Sequence, residues 1–377
     1  MVERDDARTT MLRNPSEANK RELALKQKRA KQIIRKNKRI STIMKDDQGT
    51  LITDKEEVTR EFKKVLEQML NISTKTEAED NNIITVEQYL EEPTLEEVKM
   101  AVEMLKGGKA PGEDTIIAEL LKNGGITLMI NLKQLINKIW REETIPKAWQ
   151  VSILCPIYKK GDVINCQNYR GISLLNTTYK VLSNIILNRL TPYAKDIVGE
   201  YQAGFTAGKS TTDQIHVIKQ ITEESHEFDK DVYLLFVNFK QAYDSIARST
   251  LWNVMVQLGI PAKLVRMVKA CMKNSRCKVK FKSVLSKEFT VTTRVRQGDA
   301  LSPILFNIAL ESLVKEALQN EPQGLDIGQG KQVFLAAYAD DIVVIAETED
   351  SLKRTNDILI DAAKKIGLII NENKTNS

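Results

Sequence analysis

The stretch FLAAYADDIVVIA (residues 334–346) decides how the rest of the chain is read. Two short apolar runs, rich in small and β-branched residues, flank Asp340 and Asp341, a pattern that predicts two strands hinged at the acidic pair. Adjacent carboxylates on a tight turn crowd negative charge, and a hard divalent cation with oxygen ligands would offset the repulsion. Magnesium suits such a turn because it keeps coordination positions for phosphate oxygens, as in two-metal phosphoryl transfer. An aspartate turn alone is most often simply solvated, so the pair needs support from elsewhere in the chain.

Composition narrows the chemistry that could provide it. The chain has 377 residues, 42% of them hydrophobic and 28% charged, the balance of a globular protein with a sizeable core. No run of about 18 apolar residues occurs, and the N-terminal MVERDDARTT has no apolar signal region, so a soluble, intracellular protein with no membrane partner is expected. Four scattered cysteines and two histidines make a zinc site or histidine acid–base chemistry a poor fit. Net charge is a mild +6, but it is unevenly placed: ten of the twenty residues from Lys20 to Arg39 are Lys or Arg. With Ala and Leu among them and no Gly or Pro, this stretch predicts a basic helix, either a solvated linker, a contact to nucleic-acid phosphates or a nuclear-import signal.

Outward from the acidic hairpin, the periodicities alternate. Residues 72–92 are polar and acidic and read as a linker. Thr94 and Glu97 form a capping box ahead of Leu95, Val98, Val102 and Leu105 at helical spacing, and Gly107-Gly108 ends that helix. KAPGED (109–114) is a turn, and Leu128, Leu132, Leu135 and Ile139 mark a second amphipathic helix. VSILCPIY (151–158) reads as a strand, KKGD (159–162) as a basic turn, and residues 179–190 as a helix. VYLLFVNF (232–239) predicts a buried strand, followed by a helix bearing Leu251, Val254, Met255 and Leu258. CKVKFK (277–282) alternates basic and apolar residues, a strand with one solvated or phosphate-facing side, and FTVTTRV (289–295) should pair with it. Helices at 302–319 and 351–366 and a strand-like GLIIN complete an α+β order, expected as an antiparallel sheet with helices on one face.

Seven of these segments, in this order, resemble the landmarks of the reverse-transcriptase domain of non-LTR (LINE-type) retrotransposons. They are KAPGED, PIYKKGD with NYRGISLL (168–175), EYQAGFTAGKSTTDQI (200–215), FVNFKQAYDSI (236–246), RQGDALSP (296–303), AYADD and GLIINENKT (367–375). The resemblance implies a right-hand polymerase with residues 1–92 as a basic helical linker region, 93–230 as fingers and 231–377 as an incomplete palm, the thumb lying beyond Ser377. It implies RNA-directed DNA synthesis from deoxynucleoside triphosphates on an RNA template and DNA primer, with Mg2+, or Mn2+ in its place. It further implies action in the nucleus after synthesis in the cytoplasm.

By the same resemblance, Asp340 and Asp341 would be the metal ligands, and Lys159 and Arg170 would hold the triphosphate. Tyr243 would stack under the sugar, Gln297 and Gly298 would line the nucleotide pocket, and Lys374 would face the pyrophosphate side. The first palm motif of the family begins with an aspartate four residues before its alanine; here Asn238 stands there, four before Ala242. Asparagine keeps the shape and one acceptor but loses the charge that would bridge two metal ions. Thr206 and Ala300 likewise replace the family's usual arginine and proline. An impaired polymerase is therefore expected, the alternative being a catalytically inactive nucleic-acid-binding relic.

Overall fold

A computed structural model describes residues 43–71, 88–240, 242–291, 298–320, 322, 324–328, 331–371 and 375. The basic stretch at 20–39, most of the acidic linker, Gln297 and Lys374 lie outside these residues.

A small ribbon of β1 (Met44–Lys45) and β2 (Leu51–Ile52) precedes α1 (Lys55–Leu70), whose first turn Asp54 caps by accepting from the N–H groups of Glu56 and Glu57. Next come α2 (Leu95–Glu103), α3 (Ala118–Lys122) and α4 (Gly125–Glu142). The expected capping box opens α2, with Thr94 and Glu97 bonding each other's backbone N–H. Then follow β3 (Val151–Tyr158), β4 (Tyr169–Leu174), α5 (Thr177–Ile197) and α6 (Thr211–Glu227). The remainder is β5 (Tyr233–Asn238), α7 (Ala242–Ser245), α8 (Arg248–Gln257), α9 (Ala262–Met272), β6 (Arg276–Phe281), β7 (Val284–Leu285) and β8 (Phe289–Thr290). Last are α10 (Ser302–Gln319), β9 (Leu325–Asp326), β10 (Gln332–Val333), β11 (Leu335–Tyr338), β12 (Asp341–Ala346) and α11 (Glu349–Lys365).

Two sheets organise these elements. The first is antiparallel, in the order β11-β12-β5, and carries the acidic hairpin. The second is β4-β3-β6-β7, with β8 also on β6, and it is mixed because β3 and β6 run parallel. That pairing departs from the all-antiparallel expectation. Parallel strands need a long crossover, and the chain supplies one by threading β4, β5 and five α-helices between β3 and β6. Residues 276–290 therefore share a sheet with residues 151–174.

The layering is also fuller than one helical face. Val237, Leu335, Ala337, Ile342 and Val344 share a core cluster with α5, α8, α10 and α11. The alternate residues Ala336, Val343 and Ile345 pack instead with Ile221 of α6, with Ile218 beside them. Period-two alternation thus sends successive residues of β12 into two different cores, which is why the run reads as continuously apolar. A third cluster, around Phe62 of α1 with Tyr169 and Phe281, supports the mixed sheet.

Helix α5 runs past the expected end at Leu190 and through Pro192. Buried Ala194 and the partly buried Tyr193 and Ile197 pack on the main core, and that burial offsets the backbone hydrogen bond the proline cannot donate. Among the described residues, no helix is long and apolar enough to cross a membrane.

Candidate active site

The site grows from the β11–β12 hairpin. Tyr338 pairs with Asp341, so Ala339 and Asp340 form a two-residue turn. Ala339 sits at φ +57°, in the left-handed region that residues with a Cβ rarely enter, and it is buried. On the other side of β12, Asp341 is in register with Asn238 of β5, and Val343 with Phe236. Directly opposed residues on paired strands share a face, so the amide and the carboxylate meet. Asn238 Nδ2 donates to Asp341 Oδ1 at 2.7 Å. The backbone of Asn238 is also held, its carbonyl accepting from the Asn371 N–H at 2.7 Å while the Lys240 N–H donates to Ile369 O at 2.7 Å. The strand-like GLIIN segment therefore packs beside the end of β5, with Phe239 bridged antiparallel to Ile370.

Tyr243 lies close to Asp340 of the turn. Its ring stacks on Phe306 of α10 at 4.7 Å between centroids and meets Phe205 edge-on at 6.4 Å. Its hydroxyl is buried without a hydrogen-bond partner among the described residues. Burial first, and then the nearby Asp340 charge, push this phenol far above the usual tyrosine range, so it stays protonated.

Tyr243 opens onto a cavity of about 540 Å³, lined also by Lys109, Lys180, Phe205, Gly298 and Asp299. Gly298 has φ +109°, and a Cβ there would come within 2.9 Å of the Ser173 carbonyl of β4, so only glycine lets the chain pass so close to that strand. Asp299 is buried; it accepts from the Tyr179 hydroxyl and, at 3.2 Å, from the Leu301 N–H ahead of α10. Burial lowers the affinity of Lys180 for its proton, with Asp299 and Asp114 of the KAPGED turn acting in the opposite sense.

Lys159 and Arg170 belong to the mixed sheet. Ile157 pairs with Arg170, and the Lys159 N–H donates to Asn168 O at 2.9 Å, so the two cations lie on one face, diagonal neighbours at the end of the hairpin. The opposite face, with Leu154 and Tyr169, packs on Phe62. Both cations are exposed, and among the described residues neither forms an ion pair. In β6, buried Cys277, Val279 and Phe281 alternate with Lys278 and the exposed Lys280, which carries the expected one-sided basic pattern. Lys278 is engaged by Glu113 and Glu288, and Arg276 by Glu288 at 2.9 Å.

The structure thus brings Asn238, Asp340, Asp341 and Tyr243 together, seats Gly298 on the cavity beside Tyr243, and sets Lys159 and Arg170 on the second sheet. Asp299, Phe205 and Gln202 also belong to this region and were not singled out from the sequence. Asp299 follows the Gln-Gly step of RQGDALSP, and Gln202 and Phe205 fall within EYQAGF, but a single sequence does not show which residues of a segment face inward.

The site thus combines two adjacent carboxylates on a hairpin turn, an aromatic and a glycine on an adjoining cavity, and two cations on a second hairpin. Residues 157–377, more than half of the chain, match the family model described as reverse transcriptase (RNA-dependent DNA polymerase). The chain belongs to the reverse transcriptase family. It is similar to the RNA-directed DNA polymerase from mobile element jockey of Drosophila melanogaster, with 29% identity over 72% of this chain and 30% of that protein. It is also similar to the Pol polyprotein of the type-2 retrotransposable element R2DM of the same fly, with 25% identity over 70% of this chain and 24% of that protein. The chain therefore spans less than a third of the length of these curated relatives. Among solved structures, apo telomerase from Candida tropicalis is similar at 14% identity, with a TM-score of 0.46 over 66% of this chain and 55% of that one.

Proposed function

We propose that this chain supplies the fingers and palm of a mobile-element reverse transcriptase, built for RNA-templated DNA synthesis, in which Asn238 suppresses the chemical step. In this reading residues 93–230 form the fingers together with the strands at 276–290, which join the same sheet, and the β11-β12-β5 hairpin is the palm. Lys159 and Arg170, exposed and without ion-pair partners among the described residues, suit the triphosphate of an incoming deoxynucleotide. Tyr243 and Gly298 suit its sugar and the templating side of the pocket.

Reverse transcriptases use divalent metal ions, which polarise phosphoryl oxygens and activate a primer hydroxyl. Among the described residues, no group of three or more acidic, histidine or cysteine side chains is arranged to hold a metal. In this reading Asp340 and Asp341, adjacent at the turn, would be the residues that hold a hard cation. The position that would add a third carboxylate is Asn238, whose amide donates to Asp341 Oδ1. That contact is the observation that carries the proposal. It supports the reading by setting the amide at position 238 against the Asp341 carboxylate, 103 residues away in the chain.

The test is primer extension on an RNA template by the full chain and by Asn238→Asp in magnesium, with Asp340→Asn as blank. Extension by Asn238→Asp alone supports the reading, and ready extension by the unaltered chain overturns it. The same contact favours a second reading, a nucleic-acid binder that catalyses nothing. Salt-dependent RNA binding with no extension by either form would support it. Action at chromosomal DNA in the nucleus belongs to the same proposal and is tested by fractionation of cells expressing the chain.

A further inference from the structure

The aspartate turn is clamped by a side chain to which nothing so far gives a role. Gln202 is fully buried, at 0% exposure. Its Oε1 accepts the Ala339 N–H at 2.8 Å, and its Nε2 donates to the Ala339 carbonyl at 3.3 Å. One amide thus satisfies both backbone polar groups of the left-handed residue that immediately precedes Asp340. The same Oε1 accepts the Gly204 N–H at 2.7 Å, which fixes the amide's orientation.

The flanking backbone reinforces this hold. The Ala203 N–H donates to Ala337 O, and the Ala337 N–H to Tyr201 O, both at 2.9 Å, so residues 201–203 line the outer edge of β11. Gly204 lies so close that a Cβ would come within 2.1 Å of the Ala339 nitrogen. Helix α10 in turn braces the segment. Asn307 Nδ2 donates to Gly204 O at 2.9 Å, and Glu311 Oε2 accepts the Gly199 N–H at 3.0 Å and the Tyr201 hydroxyl at 2.7 Å.

We propose that Gln202 is the positioning residue of the aspartate turn, fixing Ala339 so that Asp340 and Asp341 present their carboxylates together, with Asn307 and Glu311 of α10 as its struts. The inference rests on the reading of that turn as a metal site. A left-handed alanine is not a conformation the chain adopts spontaneously, and hydrogen bonds to both its N–H and its C=O select it over the extended alternatives. Among the described residues Gln202 makes no hydrogen bond to the Asp340 or Asp341 carboxylate; it acts through the backbone it holds.

The experiment uses the full chain, Gln202→Met (similar volume, no bonds to Ala339), Gln202→Glu (acceptor kept, donor lost) and Leu190→Ala, a buried α5 variant that lowers global stability elsewhere. Hydrogen exchange of the 335–342 segment is read by mass spectrometry, and Mn2+ binding by electron paramagnetic resonance with Asp340→Asn as blank. Gln202→Met should speed exchange at the turn on the order of tenfold beyond Leu190→Ala and weaken Mn2+ binding by a similar factor, with Gln202→Glu closer to the parent in exchange. Turn exchange in Gln202→Met no faster than in Leu190→Ala overturns the inference, whatever the Mn2+ result. Mn2+ binding that does not depend on Asp340 overturns the metal reading, while the exchange data still decide on the clamp.

Discussion

Replacing Asn238 with aspartate is the most informative single change, because the structure says what it should do before any polymerase assay is run. The substitution exchanges a hydrogen bond of 2.7 Å between amide and carboxylate for two carboxylates in the same register position. Loss of a hydrogen bond to a charged group costs about 1.5–3 kcal/mol. Two charges about 4 Å apart repel by about 1 kcal/mol in a water-like dielectric and about 4 kcal/mol at the effective value typical near a protein surface. Asp341 is exposed and Asn238 half-buried, so the lower half of the repulsion range applies, and Asn238→Asp should be about 2.5–5.5 kcal/mol less stable than the parent in chelator. The repulsion raises the carboxyl affinity for protons. Stability is then whole below the unfolded pKa and is lost as pH rises through the raised folded one, so the deficit should open on going from pH 3 to pH 7. A divalent cation should narrow it, since ligand at a hundredfold excess over its Kd contributes about 2.7 kcal/mol. Urea unfolding of both forms, in chelator and in Mg2+ or Mn2+, reads all of this. Equal stability in chelator, or an equal metal response from both forms, would refute the shared site.

Gly204→Ala should cost about 1–3 kcal/mol and disturb the turn, since its Cβ would collide with the Ala339 backbone; urea unfolding measures it. In an Asn238→Asp background, Lys159→Ala and Arg170→Ala should each raise the KM for deoxynucleotide on the order of tenfold with the fold intact, measured by steady-state extension. Burial alone would raise the Glu97 carboxyl, but the Arg189 guanidinium and the Thr94 N–H outweigh it and hold the group below its usual range. A depressed carboxylate stabilises above its unfolded pKa and loses that effect as pH falls through the folded one. Glu97→Gln should therefore cost about 1–2 kcal/mol at neutral pH, a gap that narrows below about pH 4, followed by unfolding across pH.

Much of the site was legible because its parts are local. The apolar runs around Asp340-Asp341, the capping box at Thr94 and the alternation in CKVKFK each follow from periodicity or cap chemistry within a few residues, and each took the expected form. The substitution at Asn238 was visible for the same reason, as a position within a motif. What failed did so where distant segments meet. The parallel pairing of β3 with β6, the helix on the second face of β12 and the passage of α5 through Pro192 depend on partners far away in the chain.

The sequence by itself determined which residues carry charge, which strands are apolar enough to be buried and which family of motifs they spell. Tertiary structure alone decided that Asn238 bonds Asp341, that the Tyr243 hydroxyl is buried without a partner among the described residues, and that Gln202 grips the turn. Periodicity fixes a side chain's direction relative to its own strand, whereas its partner depends on the register between strands and on helices that arrive from elsewhere in the chain.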